Sequence, residues 1–218
     1  MKTTLTKIWR NLRRPLPDLL AFSFAKLISR LWARQLAQVG PRFHVSAGTR
    51  IQGGRFVSIG DVFYAGPSLW IEAVERFAGI DHAPRIAIGA HVTCSGFVHI
   101  AATTLVTIGE GVLLGSRVHI TDHAHGSYAG PLQDSPTTLP AERRLSQGRP
   151  VCIERNVWLG DGVVVLPGVT IGAGSIVGAN SVVSRNLPAG VIAVGAPAMP
   201  IKRYEAASGR WLPIVAPP

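Results

Sequence analysis

A spacing of six residues runs through the second half of the chain. Ile153, Leu159, Val165, Ile171, Val177 and Val183 recur at that interval without a miss. Four positions after each stand Val157, Val163, Val169, Ser175, Ser181 and Leu187, and Gly160, Gly172 and Gly178 directly follow three of the leading residues. Shorter runs precede these: Ile108, Leu114 and Ile120, with Val112 and Val118 at the second position; Ile88, Cys94 and Ile100; and a degenerate start at Ile59, Ala65 and Ile71. Six is neither the period of a helix nor the alternation of a strand. It fits a parallel β-helix with three short faces per coil, one hexapeptide to a face, about eighteen residues to a coil. The leading residue points into a narrow core, and a small residue follows it because the backbone turns there and its neighbours stack closely. Successive coils then pair as parallel strands roughly 4.8 Å apart. Six consecutive hits at one phase argue against sandwich strands with accidental spacing.

Composition agrees with a turn-rich all-β chain. Hydrophobic residues make up 47% and charged residues 16% of 218, with 24 Gly and 16 Pro, which excludes wholesale disorder. The net charge of +10 is uneven: residues 1–42 carry nine basic residues against Asp18, which is +8, and the remaining residues carry +2. A nearly neutral body without a nucleic-acid motif speaks against a nucleic-acid partner. Cys94 and Cys152 form no CxxC pair, which fits a reduced, cytoplasmic setting. No apolar span is long enough for a transmembrane helix. The apolar run Leu19–Ala25 follows Pro15, Pro17 and Asp18, which makes it a poor signal peptide.

The spacing predicts a helix over 19–36. Leu20, Phe24, Leu27, Ile28 and Leu31 share one face, and Lys26, Arg30 and Arg34 form a separate stripe. Upstream, Lys7, Arg10, Arg13 and Arg14 surround Ile8, Trp9 and Leu12. Such a basic amphipathic segment either lies on an anionic membrane surface or packs on its own domain or a neighbouring subunit. The expected organisation is a helical segment 1–42, a β-helix 43–205 with a loop insertion 121–150, and a tail 206–218.

The period breaks after Ile120 and resumes at Ile153. The loop between carries Pro131, Pro136, Pro140 and Pro150, and a loop of that length in a compact solenoid is usually functional. Asp122, His123 and His125 sit where it leaves the coil. Imidazole titrates near neutrality, so either histidine suits general acid–base catalysis. Asp122 reads equally as an orienting carboxylate and as a turn residue. With His119 these side chains are also candidate metal ligands, but their spacing matches no zinc motif and no metal is expected. His82, His91 and His99 read as turn or surface residues.

The stretch from Val157 through Gly160-Asp161-Gly162, Pro167-Gly168 and Ala179-Asn180 to Val183, with Gly195-Ala-Pro-Ala198, Ile201-Lys-Arg203 and Ile120-Thr-Asp-His-Ala-His-Gly126, resembles hexapeptide-repeat acyltransferases. The resemblance spans about residues 50–205. It is greatest to enzymes that O-acetylate sugars during lipopolysaccharide and exopolysaccharide assembly, and to galactoside and maltose acetyltransferases. It implies a left-handed β-helix, a homotrimer, a sugar or glycan acceptor, and acetyl-CoA as donor in a groove between subunits. It implies His123 as the catalytic base, with His125 as the alternative. Trp158 then borders the active site, and Asp161 and Ala179 contact the pantetheine arm. Ser184 and Arg185 lie near the nucleotide, and Lys202 and Arg203 near the CoA phosphates. Arg117 stands where relatives often carry asparagine. Transfer to an amine or another small acceptor, a non-catalytic β-helix and a zinc protein are the alternatives.

Overall fold

A computed structural model describes residues 15–214. The calls on residues 1–14 lie outside the described residues. The chain winds through three sheets. Sheet A takes its six strands from Gln38–Val39, Val57–Ile59, Ile86–Ile88, Val106–Ile108, Val151–Ile153 and Thr170–Ile171. Sheet B begins at Phe43–Val45 and Phe63–Ala65 and reaches Ile176–Val177; sheet C runs from Arg50–Gln52 and Trp70–Ala73 to Val182–Val183. Pairing between successive coils is parallel, as the period of six requires.

The leading residues stack in three inward columns. Ile88, Ile108, Ile153 and Ile171 are register partners in sheet A. Cys94, Leu114, Leu159 and Val177 are partners in sheet B, and Ile71, Ile100, Ile120, Val165 and Val183 in sheet C. All are buried and belong to one core. Burial pushes the Cys94 thiol up to about 12, so it packs as a small apolar group. Ser175 and Ser181 break the valine pattern where the last coil becomes irregular. Ser175 Oγ donates to Pro188 O and accepts from Val191 N, and Ser181 Oγ accepts from Gly195 N. The hydroxyls satisfy backbone groups that the departing ladder would leave unpaired.

The glycine that follows three of the leading residues has a steric cause. A Cβ on Gly172 would lie 2.3 Å from Ala189 N, whereas one on Gly174 would meet nothing within 4 Å but would sit at φ +68°. Gly172→Ala is therefore expected to cost about 1–3 kcal/mol by overpacking. Gly174→Ala is expected to cost about 1 kcal/mol by backbone strain. Urea midpoints of the two variants measure this order.

Strands begin at Gln38, earlier than the weak sequence repeat before Ile86 indicates. The helix α1 covers Leu16–Ala33, three residues ahead of the expected span, because Pro15 and Pro17 are accommodated at its first turn. It packs on the first coil through Ala25, Ile28, Ser29 and Trp32. Ser29 Oγ accepts from Val45 N at 2.9 Å and donates to Ala25 O at 2.7 Å, so the helix covers the starting edge of sheet B. The apolar row read from the sequence is mostly not the packing face. Leu20, Phe24, Leu27 and Leu31 are all exposed, by 46–63%.

Two excursions leave sheet C before the chain enters sheet A. One is the expected loop, between His119–Thr121 and Val151–Ile153. The other, not anticipated from the repeat, is a hairpin pairing Arg76–Phe77 with Ile80–Asp81. Its turn residues Ala78 and Gly79 have φ 48° and 79°, the two positive angles a two-residue hairpin turn needs. The segment read as a tail contains Arg210–Pro213, which pairs antiparallel with Met199–Glu205 and extends sheet B.

Candidate active site

His119–Thr121 ends sheet C at the corner where the loop departs, and the next two residues form a fixed pair. His123 Nδ1 lies 2.8 Å from Asp122 Oδ1. Asp122 is fully buried, and Oδ1 also accepts from Thr103 N at 2.9 Å and Thr103 Oγ1 at 3.2 Å. Oδ2 accepts from Thr104 N at 2.7 Å and Leu105 N at 2.8 Å. Burial opposes the charge on this carboxyl, but the bonds from His123 and the three backbone N–H groups outweigh it. They hold Asp122 below the usual carboxylate range. Asp122 ties down the 103–105 turn of the preceding coil and also faces the imidazole.

A carboxylate can only accept, so Nδ1 of His123 carries the proton and the neutral ring keeps its lone pair on Nε2. Thr121 Oγ1 donates to His123 O at 3.0 Å and accepts from His123 N at 3.3 Å, which fixes the backbone of that residue. The result is a nearly buried imidazole with set tautomer and orientation, suited to proton transfer at Nε2. His125 is not part of this pair. Its ring packs edge-on against Phe77 of the hairpin at 5.2 Å, and its backbone bridges Leu145 across the loop.

The loop is ordered by its own contacts. Asp134 Oδ2 accepts from Ser127 N, and Arg143 donates to Thr138 O and Tyr128 Oη. A cavity of about 590 Å³ opens between the hairpin and residues 144–148, with Thr103 and Thr104 in its wall. His123 does not line it, so this space borders the Asp122 cluster and not the imidazole. Among the described residues no group of three or more His, Cys, Asp or Glu could hold a metal ion.

The expected donor residues fall on separate parts of the protomer. Trp158 is half exposed on the outer side of sheet B, in register with Leu113 and Ile176. Asp161 and Ala179 follow on the corner between sheets B and C, where Asp161 Oδ1 also accepts from Ser116 N. Ser184 and Arg185 are exposed beyond Val182–Val183, on the corner from which the His123 loop leaves. Lys202 and Arg203 are exposed on Met199–Glu205. Arg117 has φ 58°, as do Asn156 and Asn180, so this position is a left-handed turn for which asparagine is suited.

Trp70 and Glu72, missed from the sequence, lie near the pair with His119, read there as a candidate metal ligand, and with His99, read as a turn or surface residue but found half-buried on a strand. Trp70, His99 and His119 are register partners on the outer side of sheet C, and Glu72 lies beside them. Recurrence at one position per coil, 29 residues apart across the hairpin and then 20, was the available signal.

Residues 153–185 match the bacterial transferase hexapeptide (six repeats) family. The chain is 38% identical over 155 residues to WbbJ of Escherichia coli (strain K12), which carries the name of a lipopolysaccharide biosynthesis O-acetyl transferase. That alignment covers 71% of this chain and 76% of WbbJ. It is 40% identical over 101 residues to a galactoside O-acetyltransferase of Lactococcus lactis, spanning 46% of this chain and 44% of that protein. A mutant of AntD, an N-acyltransferase from Bacillus cereus solved with dTDP and coenzyme A, superposes with TM-score 0.63 at 19% identity. It covers 81% of this chain and 89% of AntD, a likeness of fold. The repeat, the three stacked columns and the extent of the WbbJ match together show that this chain belongs to the hexapeptide-repeat acyltransferase family, with its left-handed parallel β-helix.

Proposed function

We propose that this protein is an O-acetyltransferase that moves the acetyl group of acetyl-CoA to a sugar hydroxyl during assembly of surface polysaccharide or lipopolysaccharide in the cytoplasm. The observation that carries it is the His123–Asp122 pair, with Nε2 left to act as base, in a chain related to WbbJ over most of its length. His123 Nε2 accepts the hydroxyl proton while the oxygen attacks the thioester carbon. The tetrahedral intermediate then collapses, the C–S bond breaks, and the imidazolium returns the proton to the CoA thiolate. Sugar oxygen and sulfur exchange places on the acetyl carbon, and no acyl-enzyme is needed. Calorimetric titration with acetyl-CoA, with acetate as control, tests this reading. Saturable binding near one donor per chain supports it, and no binding at millimolar donor overturns it.

A homotrimer is supported by the separation of the donor residues. Asp161 and Ala179 lie on one corner and Ser184, Arg185 and His123 on another, so a second copy set against the first completes a groove between them. The outer row of sheet B also exposes Tyr64, Leu113 and Trp158, an apolar stripe of the kind a neighbouring subunit covers. Sedimentation equilibrium measures the assembly.

The exposed row of α1 supports work beside a membrane-borne glycan. Leu20, Phe24, Leu27 and Leu31 face outward, and Lys26, Arg30 and Arg34 lie alongside in a segment of strong positive charge. The protein is expected to pellet with phosphatidylglycerol vesicles and not with phosphatidylcholine vesicles. Leu27→Ser with Leu31→Ser should remove most of that pelleting at unchanged urea midpoint. Equal pelleting of the variant would sink the membrane role.

A further inference from the structure

The outer side of sheet C continues the site away from His123 toward the start of the solenoid. Two outward rows run across it in register. One holds Trp70, His99 and His119, and the other Glu72, Ala101 and Thr121. Thr121 touches His123. His119 packs on His99, with their Nδ1 atoms 3.1 Å apart. Burial first, then the neighbouring His99 and His123 rings, lowers the pKa of His119, so it stays neutral. His99 stacks on Trp70 with centroids 4.0 Å apart and planes 11° apart. Ring contacts therefore run without a break from His119, two positions before Thr121, to an indole.

Two features of that row are unused within the protomer. Trp70 is 36% exposed although His99 backs it, so the stack fixes the orientation of an indole that is still open to solvent. His99 Nε2 is buried and makes no hydrogen bond among the described residues. It lies 3.5 Å from Glu72 Oε2, too long for a good bond. A ligand hydroxyl would donate to the partly exposed Glu72 carboxylate, which the buried His99 nitrogen at 3.5 Å binds only weakly. An open aromatic face beside a carboxylate matches a pyranose, which has an apolar C–H face and hydroxyls at its rim.

We propose that the outer side of sheet C is the acceptor wall: one pyranose ring of the glycan stacks on the face of Trp70 that His99 leaves open, with a hydroxyl donating to Glu72, while a neighbouring sugar of the same glycan reaches along the sheet toward His123. This rests on the sugar acceptor proposed above and adds where the ring sits and which residues choose it. Trp70, Glu72 and His99 are binding and positioning groups; proton transfer remains with His123.

The test reads Trp70 directly in the full chain. Protein labelled with 5-fluorotryptophan carries five indoles, and the Trp70 fluorine resonance is assigned by its loss in Trp70→Phe. It is titrated with the methyl pyranosides of glucose, galactose, mannose, rhamnose and N-acetylglucosamine, with glycerol as an acyclic polyol, and separately with acetyl-CoA. The Trp70 resonance is expected to shift saturably with at least one pyranoside and not with glycerol. Glu72→Gln, read at the same Trp70 resonance, should weaken that binding about tenfold, with acetyl-CoA binding unchanged. A Trp70 signal that follows acetyl-CoA alone, or that stays silent with every ligand, overturns the wall. Pyranoside binding without acetyl transfer would keep the wall and remove the transferase reading; transfer with Trp70 silent would do the reverse.

Discussion

Replacing His123 with alanine is expected to lower kcat by about 10²–10⁴-fold while the protein folds and binds acetyl-CoA as before. The imidazole lies outside the inward columns, so its loss opens no cavity among them. Asp122 keeps its bonds from Thr103 N, Thr103 Oγ1, Thr104 N and Leu105 N when the ring is gone, so the turn it holds stays in place. His125→Ala is the matched control. That ring packs on Phe77, away from the Asp122 carboxylate, so the variant is expected to retain most of its turnover. Thiol release from acetyl-CoA measures turnover, and urea midpoints confirm the fold. Near-normal turnover by His123→Ala would remove it as the base, and a collapse confined to His125→Ala would move the role there.

The fold was legible because the core of a β-helix is repetitive. Each leading residue of the six-residue period occupies one of three columns, so Ile153, Leu159 and Val165 report the architecture of the coil in thirteen residues. The early coils were harder to read, since Ala65 and Ala73 take inward places and leave little hydrophobic contrast. The hairpin at 76–81 was missed because it is too short to show a period of its own, and only Gly79 marks it. Helix α1 was found, but its orientation was not. Periodicity identifies an apolar row without saying what covers it, and Ser29, a polar residue, is what meets the sheet edge.

The site was legible where chemistry is local. His123 and Asp122 are adjacent, and the break in the repeat points to them. The other partners of Asp122, Thr103 to Leu105, are separated from it by one whole coil, as are Trp70, His99 and His119 from one another. Contacts across coils become readable only when the parallel register is known. Sequence order also hid the division of the expected donor residues, because Ala179 and Ser184 are five positions apart yet lie on two corners.

Substituting Asn for Asp122 is expected to damage stability and turnover together, and pH separates the two. The carboxylate accepts from three backbone N–H groups, a hydroxyl and Nδ1 of His123. An amide has one oxygen, so its NH2 must face donors on one side. If it faces Thr104 and Leu105, two buried N–H groups lose their acceptor, at about 1–3 kcal/mol each. If it faces Thr103 and His123, the imidazole turns acceptor at Nδ1 and its proton moves to Nε2, the atom needed as base. Turnover should then fall by at least about 10²-fold. The folded-state pKa of Asp122 lies below its unfolded value, near 3.9. Its contribution is therefore complete above about pH 5 and declines as the pH falls through the unfolded value toward the depressed folded one. Asn does not titrate. The gap in urea midpoint between the native chain and Asp122→Asn should be widest near pH 6 and should narrow progressively toward pH 3. A gap that stays constant over that range would mean that the carboxyl is not held ionised by the turn, and the account of how His123 keeps its tautomer would fall with it.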